Sequence, residues 1–424
     1  MASQPEPIKV LAPIGFHEKL TRRSLFQVGG AAAGLAIVAT ACGDDKKSTT
    51  TTAGSAGTTA GSDTTTAAAE PGTLATGDWS RVINKAGGTL SMFTWGDYND
   101  PDLVGPWAES ELGVSMKVDY YASNEDLITK LSTAGDSSGF DIVVPTGTFI
   151  PQMVQKGLLQ KLDMSLLPNF VNLDPLYTGN AWDPQDEYSV CKDWGSTGWM
   201  YDTTQISKDI ATWQDFMDAC MNEASGNCSL LDSAPDVLGM YFWANGINWT
   251  TEKTEDYDAA EKYLVDEVAS HIKAFDSYPS TAIAEGSFIL SQFFNGDARQ
   301  AFVRIKDAGG TPENWKWVLG APATELWMDT YCIPVGAPNP EAAHAWINWL
   351  LIPEISIKDL NYHGYNSGLK NMPQLISELL PDLVDGDMIF FSDEQVATMQ
   401  TGAVNSAQDR ITAVYDKIKA KAAG

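Results

Sequence analysis

The sequence predicts an α/β fold with a mostly parallel sheet covered by helices on both faces, and three observations carry that prediction. From Gly88 onward, short apolar runs alternate with amphipathic stretches, the order that builds βα units. Phe140 to Pro145, FDIVVP, is a nearly unbroken apolar run, as expected of a parallel strand buried on both faces. At Ser229 the pattern starts again, with a second strand and a second helix opening.

The organising stretch is Gly88 to Tyr98, GTLSMFTWGDY. Thr89 to Thr94 reads as a buried strand, and Trp95, Gly96, Asp97 and Tyr98 follow it as a loop. The carboxyl ends of strands in an open α/β sheet face the ligand crevice, so this loop is placed to hold a small molecule. A core strand followed by an ordinary turn fits the same residues taken alone.

Next come a helix over Pro101 to Leu112, stopped by Gly113, and a strand over Val114 to Tyr121. Ser123 then caps a helix to which Asp126 reaches back, so Ser123 to Asp126 form a cap rather than a ligand contact. Thr146-Gly147-Thr148 precedes a helix over Phe149 to Gly157; its hydroxyls and N–H groups suit polar ligand atoms, or Thr148 simply caps.

Tyr188 to Tyr201 is extended and aromatic, and Trp213 to Met221 is helical. Ser229 to Leu231 is a strand, Asp232 to Val237 opens a helix, and Tyr257 to Ala274 is an amphipathic helix. Ala301 to Ile305 reads as a short strand. Glu325 to Pro334 is extended, which puts Trp327 and Asp329 on one face. A helix over Glu341 to Leu351, a turn over Tyr362 to Ser367 and a helix over Gln400 to Lys421 complete the order.

Composition narrows the function. With 424 residues, 44% hydrophobic and 19% charged, the chain has material for two domains. A net charge of −28 argues against nucleic acid and for a solvated acidic surface or a cationic partner. The 14 tryptophans supply rings for cation or sugar sites as well as for cores.

The front of the chain is an address. Thr21-Arg22-Arg23 with Leu25 and Phe26 resembles a twin-arginine signal, and the apolar run from Val28 to Ala41 is shorter than the roughly 20 residues of a membrane span. Ala39-Thr40-Ala41-Cys42 resembles a lipoprotein cleavage box with Cys42 as the acylated residue, so residues 1–42 are expected to be an export signal. Residues 43–84 are rich in Thr, Ser, Ala and Gly and read as a disordered tether with a reach of roughly 35 to 40 Å. The folded part is therefore expected outside the cytoplasm, lipid-anchored at the outer face of the membrane or in the periplasm.

In that compartment the remaining cysteines are expected as two disulfides. Cys220 and Cys228 flank a short polar loop that a bridge can clip, which leaves Cys191 with Cys332. No C-x-x-C pair or nearby histidine supports a metal site, and no cofactor motif is present. The four histidines, at 17, 271, 344 and 363, have neither a Ser/His/Asp spacing nor an H-E-x-x-H signature, so an exported enzyme is disfavoured.

The ordered set FTWGDY, YASNEDLITKL, DIVVPTGTFIPQMVQKGLLQKLD, PNFVNLDP, YSVCKDWGSTGWMY, ELWMDTYCIP, EAAHAWINWLL and NYHGYNSG resembles the spermidine/putrescine-binding proteins of bacterial ABC importers. The resemblance implies a two-lobed periplasmic-binding-protein fold, type II-like, with the ligand cleft between lobes. One lobe would hold residues 85–195 plus 331–374 and the other 196–330 plus 375–424, with Cys191 and Cys332 on the crossing segments, where their bridge would pin the hinge. It also implies a non-enzymatic monomer that hands a polyamine to a membrane permease with its ATPase.

By the same resemblance the ligand-binding residues fall on Trp95, Tyr98, Thr146, Thr148, Ser233, Asp236, Arg304, Trp327, Asp329, Tyr365 and Gln400, with Asp97 as a further carboxylate at the mouth. Carboxylates take charge-assisted hydrogen bonds from ammonium groups, and rings face the cation. Ser233 stands where the family commonly has an aspartate, and Arg304 where it has a stacking tryptophan. A guanidinium about 4 Å from an ammonium costs roughly 4 kcal/mol at an effective dielectric of 20. Either Arg304 pairs with Asp236 or Asp329, or the ligand is a zwitterion or carries a carboxylate.

Overall fold

A computed structural model of the chain describes residues 88–424. The expected export signal, the lipidation site Cys42 and the tether lie outside the described residues. Among the described residues no helix is long and apolar enough to cross a membrane.

Strand β1 (Thr89–Thr94) pairs in parallel with β2 (Ser115–Tyr120) and with β3 (Ile142–Val143). Between them, α1 (Asn124–Ala134) starts at Ser123, whose hydroxyl accepts the Asp126 N–H at 3.1 Å, as the cap reading required. Helix α2 (Ile150–Gln155) follows β3 after a 3-10 turn over Gly147–Phe149. The expected helix over Pro101 to Leu112 forms only in its second half: turns over 101–105 lead to helical residues 106–112, π-helical from Ala108. Pro106 lacks an N–H and disfavours helical geometry at Gly105, which breaks the run. Gly113 ends the turn in a left-handed conformation, with φ of 66°.

Strand β4 (Ser189–Asp202) is buried along its whole length. It leads to α3 (Trp213–Met221), which opens with a capping box between Thr212 and Asp215. Then follow β5 (Cys228–Leu230), α4 (Ala234–Ala244), α5 (Thr254–Tyr263) and β6 (Ile272–Phe275). The amphipathic helix expected to reach Ala274 continues past α5 as π-helical Leu264–Val268 and 3-10 Ala269–His271, and only its last three residues enter a strand. Helix α6 (Pro279–Ala284) and strand β7 (Leu290–Phe294) come next, then α7 (Asn295–Asp307).

Ala301 to Ile305 lies within α7 and is not a strand. The buried Ala298, Ala301 and Ile305 recur at helical spacing, and a five-residue apolar run cannot by itself tell the two periods apart. Strands β8 (Trp315–Leu319) and β9 (Thr324–Cys332), helices α8 (Pro340–Leu350), α9 (Pro353–His363), α10 (Met372–Leu379) and α11 (Asp393–Val396), strand β10 (Met399–Thr401) and helix α12 (Gln408–Ala422) finish the order. The tail helix therefore starts later than expected, and Gln400 sits in a strand.

The strand order is β2-β1-β3-β9-β4-β7-β5-β6, with β10 on β9 and β8 on β4. Two parallel groups, β2-β1-β3 and β7-β5-β6, are joined by β9 and β4, which are antiparallel to their neighbours in this path. Each group has its own core, one around Phe93, Leu127 and Ile150 and the other around Trp199, Trp213 and Trp243. The joining ladder has a bulge: Cys191 faces Thr330 but Asp193 faces Asp329, so Lys192 is the extra residue.

Neither expected disulfide is present; Cys191, Cys220, Cys228 and Cys332 are buried free thiols. In the β4–β9 register Cys191 faces Thr330 while Cys332 faces Ser189, a diagonal offset of roughly 7 to 8 Å that exceeds the reach of a disulfide. The Cys228 sulfur sits 3.4 Å from the His271 carbonyl oxygen and 4.0 Å from that of Cys220. Burial, and then the neighbouring Cys228, raise the Cys220 pKa well above its usual value, which suppresses the thiolate that bridging needs. The crossing strands are held by their ladder, not by a bridge.

Candidate functional site

The ends of β1, β3 and β9 and the turn after α9 bring a set of rings and carboxyls together at the joining ladder. Tyr98, just past β1, hydrogen-bonds Asp193 and lies 2.8 Å from Asp329 Oδ2. Asp193 and Asp329 are register partners, so the bulge at Lys192 is what aims both at one phenol. A phenol has one proton to give, and the second contact needs a proton on a carboxyl. Asp329 supplies that condition: burial, then the Asp193 charge, push its pKa up to about 7, against the pull of hydrogen bonds from Thr146 and Tyr98.

Rings continue the wall. Tyr365 lies edge-on to Trp327 at 4.8 Å and to Tyr98 at 5.8 Å, and Phe294 meets Trp327 at 5.9 Å. Two glycines permit this packing. A Cβ on Gly195 would come within 2.5 Å of the Trp327 ring, and one on Gly296 equally close to the Tyr365 ring. Asp297, at the start of α7, offers its N–H to the Tyr365 hydroxyl at 3.3 Å. Burial pushes the Asp297 carboxyl up to about 7, the Tyr365 hydrogen bond opposes this and the Asp97 charge adds to it.

A second group of acids sits further along β9. Thr197 donates from one hydroxyl lying 2.9 Å from Asp236 and 3.2 Å from Glu325. Ser233 donates to the other Asp236 oxygen. Burial raises both carboxyls; the hydrogen bond between them then pulls Asp236 down, while the Asp236 charge and that bond push Glu325 further up, so the pair shares one proton that rests on Glu325. Gln400 is the β10 partner of Glu325, and its side-chain oxygen accepts the Trp249 N–H.

Beneath Tyr98 lies a compensated network. Lys192 is 5% exposed, sits 3.9 Å from the Tyr98 ring centroid, and pairs with Asp193 at 2.7 Å and Asp359 at 3.5 Å. His363 approaches the same two carboxylates. Burial alone would raise Asp359, but the Lys192 charge and then His363 outweigh it and hold it well below the usual carboxylate range.

The expected residues therefore divide. Tyr98, Thr146, Trp327, Asp329 and Tyr365 are joined by direct contacts, whereas Ser233, Asp236 and Gln400 group around Glu325 further along β9. Trp95 is half-buried, donates to the Val144 carbonyl and packs on Tyr121. Thr148 stands on the 3-10 turn and does not cap α2, which has no side-chain cap. Arg304 pairs with neither Asp236 nor Asp329; it binds Asp97 at 2.9 Å and the Thr281 hydroxyl at 3.3 Å. Besides Tyr365, the ring that packs on Trp327 is Phe294, at the end of β7.

Sequence reasoning missed Asp193, Phe294, Asp297 and Glu325. Glu325 had a signal, since E-x-W-x-D at period two puts it on the face of Trp327 and Asp329. Asp297 and Phe294 had none once the segment after them was read as a strand.

Comparison with known proteins decides the family. A family model for bacterial extracellular solute-binding proteins matches residues 103–382. This chain is a bacterial extracellular solute-binding protein. The spermidine/putrescine-binding periplasmic protein of Escherichia coli K12 is 30% identical over 342 residues, covering 78% of this chain and 92% of the relative. The putrescine/agmatine-binding protein of Pseudomonas aeruginosa is 27% identical, covering 73% and 86%.

Among solved structures, a Listeria monocytogenes chain assigned to a spermidine/putrescine ABC transporter superposes with a TM-score of 0.68 at 26% identity, covering 79% of this chain and 98% of that one. A lipoprotein of Treponema pallidum gives 0.68 at 25% identity, covering 78% and 99%. The solute-binding protein thus has the two-lobed fold of its relatives, in which substrate binding for transport, not catalysis, is the family's work.

Proposed function

We propose that this solute-binding protein captures a linear polyamine of the spermidine/putrescine class and delivers it to an ABC permease with its ATPase. The observation that carries the reading is a charge mismatch. Among the described residues Lys192 matches the buried Asp193 and Asp359, and Lys358 matches the buried Asp100 and the half-buried Asp102. The buried Asp141, Asp183 and Asp202 have no cation, but N–H, hydroxyl or amide donors fill both oxygens of each. Among the described residues Asp329, Asp297, Asp236 and Glu325 form no ion pair with Lys, Arg or His; Asp329 meets Tyr98, Asp297 meets Tyr365, and Glu325 alternates with Trp327 on β9. Buried carboxyls without a counter-ion hold protons or take a cation, and the rings favour a cation with an alkyl chain. The engagement of Arg304 with Asp97 removes the guanidinium on which a zwitterionic or carboxylate-bearing ligand depended.

The reading places one lobe at residues 85–195 plus 331–374, carrying Trp95, Asp97, Tyr98, Thr146, Thr148 and Tyr365, and the other at 196–330 plus 375–424, carrying Ser233, Asp236, Asp297, Arg304, Trp327, Asp329 and Gln400. It includes export by the twin-arginine signal, acylation at Cys42 and a monomeric receptor without enzymatic activity. The names of the relatives and the uncompensated acids support it. Isothermal titration against putrescine, spermidine and 4-aminobutyrate is the test. Binding of an amine with dissociation constants well below millimolar is expected, and no binding of either polyamine up to millimolar would overturn the reading.

A further inference from the structure

We infer that Glu325 is the specificity-determining carboxyl of the cleft, forming with Asp236 the seat for one terminal ammonium of the amine. The inference rests on the polyamine reading and adds the residue that makes a charged end group obligatory. Glu325, Trp327 and Asp329 alternate along β9, so two acids flank one indole on a single face of the strand. Across from Glu325, Asp236 projects from the first turn of α4.

The pair is held by a hydrogen bond between the two carboxyls and by two hydroxyls, with no described cation. The one Thr197 hydroxyl lies within reach of both carboxyls, yet it carries one proton and satisfies one of them. Ser233 gives its own proton to Asp236. Asp236 is thus supplied with donors while Glu325 shares what is left. No described Lys, Arg or His forms an ion pair with either. On the same strand face, two and four residues along, the Trp327 Nε1 and the Asp329 Oδ1 are buried without a hydrogen-bond partner, as a chain-like ligand running along β9 from the pair would leave them in its absence.

An ammonium has three N–H donors and one charge. Set between Glu325 and Asp236 it replaces the shared proton, ionises both carboxyls and meets donor demand on each, with the Trp327 ring beside the adjoining methylenes. An acetamide or alcohol at that end brings too few donors and no charge, so the pair discriminates between an ammonium and a neutral polar group.

The test is titration of the whole protein with putrescine, spermidine and N-acetylputrescine, using wild type, Glu325→Gln and the double variant Ser233→Asp with Glu325→Gln. Wild type is expected to bind N-acetylputrescine at least tenfold more weakly than putrescine. Glu325→Gln is expected to lose tenfold or more for the polyamines and to narrow that gap. The double variant, which restores a carboxyl on the other side of Asp236, is expected to recover most of the loss, as a merely structural glutamate would not. Wild-type affinity in folded Glu325→Gln overturns the inference and leaves the polyamine reading standing; a wild type that binds no polyamine overturns both. If Glu325→Gln fails to fold, equal affinity of wild type for putrescine and N-acetylputrescine is the result that overturns it.

Discussion

Arg304 and Asp97 meet at 2.9 Å across 207 residues of sequence, joining the last turn of α7 to the loop after β1, and the guanidinium pairs with neither Asp236 nor Asp329. Beside them the Gly96 N–H donates to the Tyr278 hydroxyl at 3.1 Å. Under the proposed division both contacts cross between lobes and so exist only when the lobes are closed. The ion pair is partly exposed, at 28% and 39%, and its worth is therefore under about 1 kcal/mol, or a fewfold in rate. Arg304→Ala is expected to speed polyamine release about two- to fivefold in stopped-flow tryptophan fluorescence, with association little changed. Arg304→Trp, which removes the same pair without reaching Trp327, is expected to weaken binding; tighter binding would put the guanidinium back in the ligand's way.

Binding should expel protons near neutrality. Asp329 and Asp297 are both pushed up to about 7, mainly by burial. A raised carboxyl holds its proton in the folded ligand-free protein while the unfolded chain has lost it, so the native state is favoured at the acid end and loses stability as pH rises from about 4 to 7. A bound ammonium favours the ionised carboxyl, so affinity should climb between pH 6 and 8, by up to tenfold per unit for each proton released. Titrations at pH 7 in phosphate and in Tris should give different apparent enthalpies. Equal enthalpies, together with an affinity flat over that range, would contradict the linkage. Asp329→Asn should flatten the stability profile and abolish most binding.

The sequence made the frame legible because its signals were local. The Ser123 cap, the apolar run before Thr146 and the alternating E-x-W-x-D of β9 each state their geometry within a few residues. What it hid depended on register between distant strands. Nothing near Cys191 shows that it faces Thr330 rather than Cys332, and nothing near Lys192 shows a bulge that turns Asp193 toward Tyr98. The misreading of Ala301 to Ile305 as a strand carried the larger cost. It detached Arg304 from Asn295–Asp307, and with it went the view of Asp297 and Phe294 at the start of that helix.

Lys192 offers a direct measure of how far the buried network supports the site. Its Nζ neutralises Asp193 and Asp359 below Tyr98, and its pKa stands above the ordinary lysine value because those charges outweigh the burial penalty. Replacing it with methionine leaves two buried carboxylates with His363, the Tyr98 hydroxyl and the Asp100 N–H as partners but without the lysine charge. A loss of roughly 3 to 5 kcal/mol is expected in urea unfolding at pH 7.5, shrinking as pH falls and the carboxylates protonate. A pH-independent loss below about 1 kcal/mol would mean that the network does little for the fold.

Gly195 tests the geometry of the indole itself. It is the register partner of Trp327 on β4, and a Cβ there would lie 2.4 Å from Asn295 Oδ1 and 2.5 Å from the Trp327 ring. Its backbone is ordinary strand, so Gly195→Ala introduces no conformational strain and acts through that methyl alone. Asn295 is fixed, since its Oδ1 accepts the Ser196 N–H and its amide donates to the Met388 carbonyl. The indole must therefore swing away from β4, and it takes with it the ring that lies between Glu325 and Asp329. Overpacking of this kind costs about 1 to 3 kcal/mol, which a chain of this size tolerates, so the variant is expected to fold. Its polyamine affinity is expected to fall more than tenfold, with quenching of tryptophan emission by ligand reduced in parallel. Unchanged affinity with an intact near-ultraviolet spectrum would show that the amine does not lie along Trp327.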